Sequence, residues 1–134
     1  MEKKTVESVT EAFADQSFLH HAANSTHRSG VTNSGSLVCF DKTTHETIFY
    51  QKAHDYEAWY TSFHPNDPNL VFSAADDCAF KAFDLRSKSQ IWQNKKHHTA
   101  GVTYVEVIAD NYLLTGSYDQ SFAVWDIRAL KCPV

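Results

Sequence analysis

Polar and apolar positions alternate in short runs along most of the chain, and the runs recur at a fixed distance. Within 101–108, Thr103, Val105 and Val107 fall on one face of an extended segment, the period of two that a strand imposes on its side chains. Asp110-Asn111 and Tyr118-Asp119-Gln120 are turn sequences, so 112–117 and 121–127 read as the next two strands. An earlier unit has the same order. Residues 58–63, 70–75, 78–84 and 89–93 form four apolar runs, and the polar stretch 64–69, with two prolines, reads as a loop. A first unit is less regular: 30–41 holds an Asn33-Ser34-Gly35 turn and ends in Phe40-Asp41, and 47–51 follows as a later strand. Upstream, 16–22 suits an innermost strand, while Val6, Val9 and Phe13 have helical spacing, so 1–15 is expected to be helical or frayed.

The units repeat. Asp77 and Asp119, Asp84 and Asp126, and Arg86 and Arg128 are each 42 residues apart; His54 and His98 are 44 apart, and Phe40 and Phe83 43 apart. A period in the forties, closing each time on an aromatic–Asp pair, is the mark of a β-propeller blade. The fold class is therefore all-β, a propeller fragment of about two and a half to three blades. A ring needs ~4 to 8 blades, so the fragment does not close by itself. The expected divisions are 1–28, a degenerate N-terminal segment; 29–52, a degenerate first blade; 53–95, a second blade; and 96–134, a third blade cut short of its outer strand. Open blade faces and unpaired edges favour association, so the missing blades come from a longer chain or from self-association.

The recurring polar residues suit a structural task. In the third unit His98, Thr115, Asp119 and Trp125 can form a relay. The carboxylate accepts from the imidazole, the imidazole bonds the hydroxyl, and the hydroxyl accepts from the indole N–H. In the second unit the counterparts are His54, Ser73, Asp77 and Phe83, which lacks the last donor; in the first unit almost nothing of the set remains. A Ser/Thr–His–Asp set invites comparison with a hydrolytic triad, but a catalytic triad would not recur once per blade.

Composition narrows the field. The net charge of −4, with Lys3-Lys4 and Lys95-Lys96 as the sole basic pairs, argues against nucleic acid. There is no 18-residue apolar run for a membrane span and no apolar segment after Met1 for a secretory signal. Three cysteines, Cys39, Cys78 and Cys132, without C-x-x-C spacing, suit a reducing cytoplasm. His20-His21 and His97-His98 are adjacent pairs, and neighbours on a strand point to opposite faces, so no metal site is expected. No G-x-S-x-G elbow, phosphate loop, H-E-x-x-H or dinucleotide fingerprint occurs.

The string GSYDQSFAVWDIR at 116–128 resembles the WD-repeat superfamily. The run Ala53-His54-Asp55-Tyr56-Glu57-Ala58-Trp59 is more particular. With 72–77, 84–86, 98–102 and 114–126, it is similar to the diphthine methyl ester hydrolases, the WD-repeat proteins of diphthamide biosynthesis; the likeness runs from about Gly35 to Pro133. The resemblance implies hydrolysis of the methyl ester of methylated diphthine on translation elongation factor 2, as protein substrate. The family has also been described as a methyltransferase, but this sequence has no glycine-rich loop to hold S-adenosylmethionine, so no cofactor is expected. By position, Asp55, Glu57, Trp59, His64, Asp76, His97 and Tyr118 flank strand ends where propeller partners dock. Glu57, His97 and His64 are the candidate acid–base residues; Asp55, Trp59, Asp76 and Tyr118 form a candidate rim for substrate or partner. The rival reading is a non-enzymatic WD-repeat scaffold for protein–protein interaction.

Overall fold

The computed structural model describes residues 16–130 and 132–134, and these contain eleven strands and one short 3-10 turn. The strands are β1 Phe18–Ala23, β2 His27–Thr32, β3 Ser36–Asp41, β4 Thr47–Lys52, β5 Ala58–His64, β6 Asp67–Ala75, β7 Phe80–Asp84, β8 Ser89–Asn94, β9 Val102–Ala109, β10 Tyr112–Ser117 and β11 Phe122–Asp126. They form three antiparallel meanders, β1-β2-β3-β4, β5-β6-β7-β8 and β9-β10-β11. Strand β1 packs on β5 and β5 on β9, so these three are the innermost strands of successive blades. The three sheets are open and do not close a ring.

Two apolar cores hold the blades together. Val31, Leu37, Phe49, Val71, Phe83 and their neighbours fill the space between the first and second sheets. Phe72, Phe80, Val102, Val105, Leu113 and Trp125 fill that between the second and third. Strand β6 explains why 70–75 lacks alternation: Val71 and Ala75 face one core, Phe72 and Ala74 the other. A strand covered on both faces reads as a continuous apolar run. Each large side chain so buried contributes ~1.5–3 kcal/mol, and the second blade collects this from both sides.

The structure departs from the sequence pattern in three places. The first blade has all four strands, with β1 and β2 already paired between residues 18 and 32, so a division at 28/29 falls inside β2. Strand β6 starts at Asp67, inside the expected loop. Pro68 is held extended because its carbonyl accepts from Asn24 Nδ2 at 3.0 Å and bonds His27 Nδ1 at 3.0 Å. Tertiary contact with the first blade overrides the local turn signal. At the other end, Val134 N–H donates to the Val124 carbonyl at 2.7 Å, so the last residues return to the outer edge of β11. The helical spacing at Val6, Val9 and Phe13 lies outside the described residues.

Candidate functional site

The relay residues meet in both later blades. His98 Nδ1 lies 3.2 Å from Asp119 Oδ2, His98 Nε2 lies 2.8 Å from Thr115 Oγ1, and Trp125 Nε1–H donates to the same hydroxyl at 2.9 Å. In the second blade His54 Nδ1 is 3.1 Å from Asp77 and Nε2 is 2.7 Å from Ser73 Oγ. Asp77 and Asp119 also accept backbone N–H groups of Asp55 and Thr99, fixing the entry to β5 and β9. Burial pulls the pKa of both His54 and His98 down, against the opposing pull of the paired aspartates. For Asp77 burial works the other way, but His54 and two backbone amides outweigh it and the carboxyl is held low. Ser73 and Thr115 are 0% exposed. No substrate carbonyl can reach either hydroxyl, so these sets act as struts and not as nucleophile triads.

In the first blade a different set does the equivalent work. Thr32 and Ser34 hydroxyls donate to Gln16 Oε1 at 2.9 and 2.7 Å, and Ser36 N–H donates to Thr32 Oγ1. The hairpin turn is thus tied by hydroxyls and one amide in place of the His–Asp pair.

Part of the expected rim forms one contact set. Trp59 Nε1–H donates to Asp76 Oδ1 at 3.2 Å, and the Trp59 and Tyr118 rings meet edge to face, 6.4 Å apart. Asp76 N–H donates to the Glu57 carbonyl at 2.8 Å, and Tyr118 N–H to the Gly101 carbonyl at 2.9 Å. Gly101 is required here: a Cβ would overlap the Asp76 carboxylate and lie 3.1 Å from its Cα. Tyr118 and Tyr56 are 63% and 60% exposed, which leaves aromatic faces open to a partner. Asp55 is exposed, and its backbone N–H is tied to the Asp77 carboxylate of the relay and not to this set. His97 instead lays its ring edge-on against His98 and Trp125. His64 sits at the far end of β5, ~20 Å of strand away, where its Nδ1 accepts from Asn66 N–H. The three candidate acid–base residues therefore do not share one site.

A second cluster lies on the innermost strands. His20, Tyr60 and Tyr104 are each the third residue of their strand, β1, β5 and β9. His20 stacks on Tyr60 at 3.9 Å, and Tyr60 packs against Tyr104 at 4.8 Å. Tyr60, which also packs against the core between the second and third sheets, touches the neighbouring blade on either side, so the column runs across the innermost strands of all three blades. Both tyrosine hydroxyls donate to Glu106 Oε2, at 3.2 Å from Tyr60 and 2.6 Å from Tyr104. The Glu106 bond, with burial, pushes the Tyr104 hydroxyl up to about 12. Burial, joined by the Glu106 charge, also raises Tyr60. Burial and the neighbouring His21 lower His20, although Glu106 pulls the other way. Sequence reasoning missed this column. The usable signal was positional: Tyr60 and Tyr104 are 44 apart, the same interval as His54 and His98.

Among the described residues no group of three or more His, Cys, Asp or Glu side chains is placed to hold a metal ion.

No family model matches the chain. Individual proteins do. A diphthine methyltransferase homolog of Dictyostelium discoideum is 34% identical over 110 residues, which take in 71% of this chain and 29% of that protein. The diphthine methyltransferase of Homo sapiens is 34% identical over 85 residues, 62% of this chain and 19% of that protein. Among solved structures, a chain of the mitotic checkpoint complex superposes with a TM-score of 0.71 at 20% identity, over 81% of this chain and 35% of that one, a likeness of fold. The chain thus spans less than a third of the length of these curated relatives. With three WD-type blades in place and these identities across most of its length, the chain belongs to the diphthine methyltransferase family of WD-repeat proteins, as a partial chain.

Proposed function

We propose that the protein acts in diphthamide biosynthesis by hydrolysing the methyl ester of methylated diphthine on translation elongation factor 2. The family relationship carries the pathway; the placement of the glycines favours hydrolysis over methyl transfer. Gly30 sits in β2 against the Phe18 ring, Gly35 holds a hairpin turn at φ +86°, Gly101 closes on Asp76, and Gly116 lies in β10 beside Tyr104. All four serve the packing and turns of the blades, so within this part of the protein none forms a backbone cradle for a nucleotide-like methyl donor. Ester hydrolysis needs only water, a base and a donor for the oxyanion. The exposed Tyr118 ring, edge-on to Trp59, offers a docking face for a protein substrate.

The test uses the protein at its native length with methyl-esterified elongation factor in water carrying heavy oxygen. Hydrolysis releases methanol and places the label in the new carboxylate without S-adenosylmethionine. Dependence on S-adenosylmethionine, with methyl gained, would reverse the assignment. The rim aromatics also favour a second reading, a scaffold that binds partners without chemistry. Glu57→Gln and Trp59→Ala then alter binding alone and no methanol appears with any variant.

A further inference from the structure

The column on the innermost strands holds two polar atoms that the fold does not use. Both tyrosine hydroxyls donate to the same oxygen, Glu106 Oε2, which leaves Oε1 without a hydrogen bond among the described residues. Thr61 N–H donates to His20 Nδ1 at 3.3 Å. A neutral imidazole that accepts at Nδ1 carries its proton on Nε2, and this N–H has no partner among the described residues. Both side chains are half-buried, and they border a cleft of about 400 Å³ lined also by His21, Tyr60 and His64. A free carboxylate oxygen and a free N–H on one cleft wall are an acceptor and a donor waiting for complementary groups.

We infer that Glu106 is the general base and His20 the oxyanion donor of ester cleavage in this cleft. The inference rests on the hydrolase reading above and assigns its chemistry to residues outside the rim. Glu106 Oε1 takes a proton from water as the water oxygen bonds to the ester carbonyl carbon. The carbonyl π pair moves to oxygen, where His20 Nε2–H donates to it. When the tetrahedral species collapses, the bond from carbon to the methoxy oxygen breaks and the Glu106 carboxyl returns its proton to methoxide. Ester and water become carboxylic acid and methanol, and Glu106 ends as it began. The two tyrosines are positioning residues: they fix Oε2, so that Oε1 faces the cleft. Burial keeps the His20 ring neutral at neutral pH, so it donates without forming an ion pair that would quench the base.

The experiment measures methanol release by the native-length protein and its Glu106→Gln, Glu106→Ala and His20→Gln variants, with folding checked by circular dichroism. Removing the base lowers kcat ~10²–10⁴-fold with KM little changed, and added formate restores part of the Glu106→Ala rate. Losing the oxyanion donor in His20→Gln lowers kcat ~10²–10³-fold. A Glu106→Gln rate near wild type, or no formate rescue, overturns the inference while leaving the hydrolase reading intact. If Glu106→Gln does not fold, His20→Gln decides: a large loss of kcat supports the assignment and a wild-type rate refutes it. If the wild-type protein itself releases no methanol, the hydrolase reading fails, and this assignment with it.

Discussion

The Trp125 indole nitrogen lies 2.9 Å from the Thr115 hydroxyl, and that hydroxyl is in turn 2.8 Å from His98 Nε2. The Asp119 carboxylate beside His98 Nδ1 can only accept, so the imidazole proton sits on Nδ1 and Nε2 accepts from the Thr115 hydroxyl, which itself accepts from the indole. In the second blade the equivalent ring is Phe83, fully buried and 5.5 Å from Phe49, so Ser73 makes the histidine bond alone. Trp125→Phe should lower stability by ~1–3 kcal/mol, the loss of one buried hydrogen bond plus unfilled volume. Urea denaturation would show it as a reduced midpoint with an unchanged slope. A midpoint equal to wild type would mean that the indole bond contributes nothing.

Acid should weaken the fold through the same relays. His54 and His98 resist protonation in the folded state because they are buried, whereas in the unfolded chain they titrate near the ordinary value of 6.5. Below that pH the unfolded state binds more protons, so stability falls as pH drops. Asp77 and Asp119 are held low in the folded state, and their contribution is lost further into the acid range. Thermal midpoints measured between pH 7.5 and about 5 should decline, and His98→Gln should flatten part of that decline. A flat wild-type profile would contradict the assigned protonation states.

Much of this was legible from particular residues. His54, Asp77, His98 and Asp119 recur because every blade must satisfy the same buried turn, so their spacing shows in the chain. The Pro68 segment and the His20–Tyr60–Tyr104–Glu106 column were not legible in this way. The first is extended only because Asn24 and His27 from another blade bond its carbonyl. The second draws His20 from the first blade, Tyr60 from the second and Tyr104 with Glu106 from the third, each ordinary within its own strand, and only the stacking of the blades brings them together. Strand β1 was half legible: its His20-His21 pair interrupts the apolar run, with His20 half-buried against Tyr60 and His21 exposed.

Gly101 should tolerate no side chain. It is buried and presses against Asp76, while its carbonyl accepts from Tyr118 N–H. Gly101→Ala forces the Asp76 backbone or the Tyr118 turn to move, at ~1–3 kcal/mol for overpacking, and separates Trp59 from Tyr118. Trp59 fluorescence should shift with the substitution, because its indole loses both the Asp76 bond and the tyrosine edge. An unshifted spectrum at full stability would show that the rim tolerates the displacement.

Lys81 gives a prediction at the alkaline end. It lies on β7 at 7% exposure and its Nζ donates to the Ala53 carbonyl, at the entry to His54. Burial, reinforced by Lys95, lowers its pKa although Asp77 and Asp55 oppose the change. A lysine that releases its proton more easily when folded is less stabilised as a cation in the native state. As pH rises toward the unfolded value of 10.5, the unfolded chain holds the proton that the folded chain has lost, so stability rises with pH from this group. The neutral amine still donates to Ala53. Lys81→Met removes both the donor and the titration, leaving the Ala53 carbonyl short of a partner at a cost of ~1–3 kcal/mol. The stability gap between wild type and Lys81→Met should therefore widen between pH 7 and 10 in denaturant titrations. A gap that narrows over that range would mean that the buried ammonium is stabilised by its aspartate neighbours more than burial penalises it.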